Sequence, residues 1–148
     1  MKERNVTSAN TINYLEESAD VLGALENVEG VIAKRGIEPS LHHLVLLRAS
    51  QINGCAFCVR MHTSDAREAG ETDRRLDHLI VWKCVNDFTA REKAAFAWTE
   101  ALTELHKVPD LDALRGELKK HFSEHEIASL TSIVAMINLW NRIQISNH

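Results

Sequence analysis

Beyond Ala19 the apolar residues of this chain recur at intervals of three and four, and little interrupts them: two prolines and six glycines occur in 148 residues. Side chains at that spacing share one face of an α-helix, whereas a half-buried strand needs an apolar residue at every second position. Val21, Leu22, Leu25, Val28 and Ile32 predict a helix over 19–34, stopped by Gly36. Pro39-Ser40 opens a second helix carrying Leu41, Leu44, Val45 and Leu47, and Asn53-Gly54 breaks it. A third runs from Cys55 to residue 69 before Gly70, and Thr72 caps a fourth through Leu76, Leu79, Ile80 and Val81. Two later starts pair a hydroxyl with a carboxylate three residues on, Thr89 with Glu92 and Ser123 with Glu126, so that each satisfies a backbone donor the helix leaves open. The first opens a helix through Phe96, Trp98 and Leu102. The second opens one reaching about residue 143, and Leu111, Leu114 and Leu118 place a short helix between them. The expected architecture is an all-α orthogonal bundle of six or seven helices, in a single domain over 1–148 whose first 17 residues form a polar arm.

A mass of 16.7 kDa suffices for one self-standing core and is too small for two ordinary domains. The 17 Lys and Arg against 21 Asp and Glu give a net charge of −4, with both signs scattered along the chain. Nucleic acid is not an expected partner, because phosphate binding draws on a concentrated basic face. The most apolar window, 127–140, is interrupted by Ser129, Thr131, Ser132 and Asn138, so no membrane partner is expected. MKERNVTSAN carries no signal-peptide stretch, and a cytoplasmic protein is the expectation.

Three cysteines in such a chain do not make a secreted disulfide framework, and two of them stand as Cys55-Ala56-Phe57-Cys58. On a helix starting at Cys55, a turn of about 100° per residue sets Cys55, Cys58 and His62 on one narrow stripe. Residues three apart bring their Cα atoms to about 5 Å, inside the range in which a disulfide closes. Reactivity requires the thiolate, which is only ~3% populated at neutral pH for an unperturbed cysteine. Two sources of stabilisation are legible. The helix N-terminus favours an anion, most strongly at Cys55, and a protonated His62 would pair with the sulfur nearest it, Cys58.

Plainer readings stand beside this one. The thiols could simply be packed in the core, His62 could be a core histidine, and Cys55, Cys58, His62 and His43 could form a Cys2His2 zinc set. Cys84 is expected to pack against the bundle. Trp98 and Trp140 read as core anchors, while His42, His78, His106, His121, His125 and His148 read as surface or cap groups.

The run LVLLRASQINGCAFCVRMH over 44–62 closely resembles the core of AhpD-like alkylhydroperoxidases in the carboxymuconolactone decarboxylase superfamily, and the likeness extends to FAWTEAL at 96–102 and INLWNR at 137–142. The resemblance implies an all-helical fold, assembly into homo-oligomers, and peroxidase or disulfide-reductase chemistry. It implies that Cys58 attacks the peroxide and Cys55 resolves the sulfenic acid into a disulfide, with His62 beside them. An external dithiol, lipoyl-type or thioredoxin-like, then restores the pair. Here the family and the helix dipole disagree, since the dipole favours Cys55; the family order is followed because His62 lies nearest Cys58 and an outer Cys55 would be easier for a reductant to reach. Family members usually carry a glutamate twelve residues before the first cysteine, as part of a proton relay. This chain has His43 there, whose imidazole can take a proton at neutral pH. The expected function is a thiol-dependent peroxidase with Cys58, Cys55, His62 and His43 as its site and no cofactor or metal. The alternatives are a redox-sensing or zinc-binding oligomer and, ranked lower, a carboxymuconolactone-type decarboxylase, whose members generally lack this cysteine pair.

Overall fold

In the computed structural model, which describes residues 9–148, eight α-helices and two 3₁₀ segments account for the regular structure, with no strand among the described residues. The helices are α1 (Tyr14–Glu17), α2 (Ala19–Ala33), α3 (Pro39–Asn53), α4 (Ala56–Glu68), α5 (Asp73–His78), α6 (Ala90–Thr103), α7 (Leu111–Leu118) and α8 (Glu124–Ile145). The all-α expectation holds, with one α-helix, α1, beyond the seven read from the sequence. The arm expected over 1–17 ends in the single turn α1, tied to the C-terminus by Tyr14 Oη to Ser146 Oγ at 2.8 Å; residues 1–8 lie outside the described part. The fourth helix stops early. Thr72 caps it by accepting from the Arg75 N–H, but Val81 leaves helical dihedrals, and Leu79–Cys84 continues as a 3₁₀ segment.

Both capping boxes form, Thr89 with Glu92 at the start of α6 and Ser123 with Glu126 at the start of α8. At the start of α3, Pro39 takes the first helical position after Glu38. Proline suits that place because its missing N–H would have had no intrahelical partner.

The central element is α3, which packs against α4, α6 and α8. Leu41, Leu44 and Val45 are fully buried, and one core cluster draws side chains from every helix between α2 and α8. Phe96 anchors it, meeting Trp82 and Phe88 edge-on at centroid distances of 5.7 and 5.2 Å. The Arg48–Glu100 pair, nearly buried and joined by the Trp82 indole N–H at 2.8 Å, ties α3 to α6.

Much of α2 escapes this core. Only Ile32 is buried, while Val21, Val28 and Val31 on α2 and Leu15 on α1 are exposed. No helix of the described residues is long and apolar enough to cross a membrane.

Candidate active site

Asn53-Gly54 is the hinge on which the site is built. Gly54 sits at φ 69° and ψ 30°, a left-handed conformation that glycine adopts without the roughly 1–2 kcal/mol steric cost of a side chain. The Gly54 N–H donates to Gln51 O and the Cys55 N–H to Ser50 O, the paired bonds of a Schellman helix end. Cys55 thus closes α3, and it also opens α4. It is the N-cap rather than the first helical residue, and its Sγ accepts from the Cys58 N–H at 3.4 Å.

A buried amide network holds this turn from behind. Asn53 Nδ2 donates to Asn138 Oδ1 at 3.0 Å and to Asn141 Oδ1 at 2.9 Å, and Asn141 Nδ2 donates to Ser50 Oγ at 3.0 Å. Asn141 is wholly buried, so these bonds replace water it has lost and fix the end of α3 against α8.

Cys55 and Cys58 stand at disulfide distance, with Cα atoms 5.3 Å apart. Both are buried, at 0% and 2% exposure, so Cys55 is not the outer sulfur that the sequence suggested. Cys58, and not Cys55, lines a cavity of about 470 Å³ between α2, α3, α4 and α8. Its walls are apolar, built by Leu46, Met61, Ile133, Met136 and Ile137.

His62 lies on the same wall, one turn beyond Cys58, and is 6% exposed. Neither ring nitrogen has a hydrogen-bond partner, although Asp65 Oδ2 lies 3.8 Å from Nδ1. Burial pushes its pKa down to about 4; Asp65 opposes the shift, and His43 and His42 add to it. His62 is therefore neutral at physiological pH. The protonated His62 that would have paired with a thiolate does not exist in this state, because the buried ring loses more hydration than Asp65 restores.

The two histidines of α3 divide differently from the sequence reading. His42, expected at the surface, is half-buried on the cavity wall, and burial and its neighbour His43 lower its pKa. His43 is not among the lining side chains, and its buried Nδ1 has no partner. Helical direction decides this, since adjacent residues point about 100° apart and only one can face the cavity.

Trp140, expected in the core, also lines the cavity, and its indole N–H is buried without a hydrogen bond of proper geometry. From α2, which the sequence left without any site residue, come Glu26 and Glu29 at the exposed edge. Burial raises the pKa of Glu29; Trp140 offsets part of the rise and Glu26 adds to it. Unpaired acids on an otherwise apolar helix were the only trace of these residues in the sequence. Cys84, expected to pack against the bundle, is exposed at the end of the 3₁₀ segment. Among the described residues no group of three or more His, Cys, Asp or Glu is placed to hold a metal ion, so Cys55, Cys58, His62 and His43 do not converge as a zinc set.

A site of this kind can cycle between dithiol and disulfide beside a cavity that admits a small organic molecule. Residues 19–101 match the model of the carboxymuconolactone decarboxylase family. The chain is 34% identical over 135 residues to the uncharacterized protein YdfG of Bacillus subtilis (strain 168), covering 91% of this chain and 92% of that one. A crystal structure of a protein of unknown function from Agrobacterium tumefaciens, for which an AhpD antioxidant-defence role has been suggested, superposes with a TM-score of 0.86. It is 36% identical and covers 92% of this chain and 93% of that one. The debrominase Bmp8 shares the fold at a TM-score of 0.79 and 18% identity, over 87% of this chain and 69% of its own. With the CxxC turn, the histidine one turn on and the all-helical bundle in place, the chain belongs to the carboxymuconolactone decarboxylase family and has the AhpD-like fold.

Proposed function

We propose that the protein is a thiol-dependent peroxidase in which Cys58 attacks and Cys55 resolves. The observation that carries this reading is the placement of Cys58 on the cavity wall while its partner sulfur, at bonding distance, is shut away behind it. The Cys58 thiolate attacks a peroxide oxygen, an S–O bond forms, and the O–O bond breaks. His42, on the same wall, takes the thiol proton and passes it to the departing alkoxide. The Cys55 thiol then displaces water from the Cys58 sulfenic acid and closes the disulfide. An external dithiol, lipoyl-type or thioredoxin-like, attacks the Cys58 sulfur through the cavity and leaves as its own disulfide, returning two thiols. His62 lines the pocket beside Cys58, uncharged because it is buried.

The neutral His62 leaves thiolate stabilisation to the backbone. Cys58 is the third residue of α4, inside the positive first turn, which partly replaces the missing imidazolium. The decarboxylase reading is less well served, because a carboxymuconolactone is anionic and the cavity is edged by Glu26, Glu29 and Asp65 with no Lys or Arg among the described lining residues. The test is turnover of cumene hydroperoxide with dihydrolipoamide by the purified protein. Steady consumption well above a Cys58→Ser control is the expected result, and rates equal to that control would overturn the proposal.

The working unit in this proposal is a homo-oligomer joined through α1 and α2. Leu15 is 78% exposed and Val31 63%, a run of apolar surface continuing to Val21 and Val28 that water does not favour. Light scattering is expected to return a multiple of the 16.7 kDa chain mass, and Val31→Glu to lower it. A monodisperse monomer at all concentrations would refute this.

A further inference from the structure

We propose that the cavity selects its hydroperoxide by charge, admitting apolar bodies that are uncharged or cationic and turning away those that carry a carboxylate. This rests on the peroxidase reading for the reaction, though not for the binding. Three acids edge the opening: Glu26 and Glu29, one turn apart on α2, and Asp65 on α4, whose side chain is 43% exposed. No lysine or arginine lines the cavity among the described residues, so nothing at the mouth compensates the negative charge. Arg35 Nε donates to Ser129 Oγ, and Arg142 donates to Asn138 O.

Beside these acids, the cavity wall also carries polar groups that call for a ligand. The Trp140 N–H is a buried donor that faces Glu29 without proper hydrogen-bond geometry, and the His62 ring is nine-tenths buried on the wall with neither nitrogen hydrogen-bonded. Apolar side chains supply the rest of the surface. A buried polar atom left unpaired costs free energy that an incoming acceptor recovers. A hydroperoxide oxygen can meet these groups while its hydrocarbon body covers Met61, Met136 and Ile133. Because Asp65 stands 3.8 Å from the His62 ring on one side and Glu29 faces Trp140 on the other, a carboxylate borne by such a molecule meets like charge inside the cavity and an ammonium meets opposite charge. Clustered acids at the edge also keep each other's company poorly; the rise in the Glu29 pKa carries a contribution from Glu26, which a cation between them would relieve.

Binding of unreactive probes of equal length tests this without any turnover. 1-Octanol, octylammonium and octanoate are titrated into the oxidised full-length protein near neutral pH and low salt, with the Trp140 indole N–H resonance as the local reporter. Octanol and octylammonium are expected to move that resonance and to bind about tenfold or more tightly than octanoate, the scale set by a few like charges across partly screened distances. The gap is expected to narrow at about 0.5 M salt, where the screening length shrinks to a few ångströms. It should also narrow in Glu26→Gln/Glu29→Gln. Octanoate binding as tightly as octanol, or a preference untouched by the double substitution, would overturn the proposal, as would failure of all three probes to move the Trp140 signal. If the charge order is found but no peroxide is turned over, the peroxidase reading falls and the charge selection stands.

Discussion

Cys55→Ser and Cys58→Ser are expected to divide the reaction into its halves. With Cys58 removed, peroxide consumption should fall by at least about 10³-fold, because the one thiol lining the cavity among the described residues is gone and serine is a far poorer nucleophile near neutral pH. With Cys55 removed, one equivalent of peroxide should still be reduced, leaving a Cys58 sulfenic acid that dimedone traps and mass spectrometry locates. Multiple turnover through the intramolecular disulfide should then cease. The opposite pattern, an inert Cys55→Ser and a trapped sulfenate on Cys55 in Cys58→Ser, would reverse the assignment. The helix dipole alone pointed that way, and the structure shows why it should not decide. Cys55 is the N-cap, fully buried, and its sulfur already accepts the Cys58 N–H. Access through the cavity belongs to Cys58.

Acid should destabilise the oxidised protein in a window set by His62. Its folded pKa of about 4 lies below the ordinary 6.5, so between those values the unfolded chain binds the proton that the folded protein refuses. Stability therefore rises with pH across the window: it is complete above about 6.5 and lost progressively as pH falls to about 4. The size is about 3 kcal/mol, a large part of the margin of a small domain. His42, also lowered, acts in the same direction. The groups facing His62 are Asp65 on its own helix, His42 and His43 on α3, and Glu26 and Glu29 across the cavity on α2; α8 presents no ionisable group there. Carboxylates held low by partners, such as Glu100 with Lys83, Trp82 and Arg48, lose their contribution only below 4.5, whereas Glu29, raised by burial, acts in the opposite sense, so the comparison with a His62 variant is what isolates the imidazole. Urea unfolding midpoints measured across this range should fall steeply in the native protein and much less in His62→Gln. Parallel curves for the two proteins would show that His62 is not held neutral by burial.

Local features of the fold were readable because local physics sets them. Thr89-Glu92 and Ser123-Glu126 make capping boxes wherever a helix follows, and Gly54 is nearly obligatory at a left-handed helix end. The same holds for the approach of Cys55 to Cys58, since a spacing of three on one turn leaves little freedom. Where the reading missed, a neighbour distant in sequence had intervened. Val81 departs from helical dihedrals in the middle of a run with helical spacing. Cys84 is exposed because that departure turned its segment into a 3₁₀ stretch at the surface. Trp140 sits on a helix face that meets a cavity rather than the core, which periodicity alone does not distinguish.

By itself the chain determined its helices, their capped ends and the sulfur pair, because each depends on residues within a turn or two of one another. Packing of α2, α3, α4 and α8 decided the rest: which sulfur faces the cavity, which of two adjacent histidines accompanies it, that His62 loses its charge, and that Glu26 and Glu29 edge the opening. The reason is physical. Desolvation and the convergence of side chains are properties of surfaces brought together by the whole bundle, and no single stretch of sequence carries them.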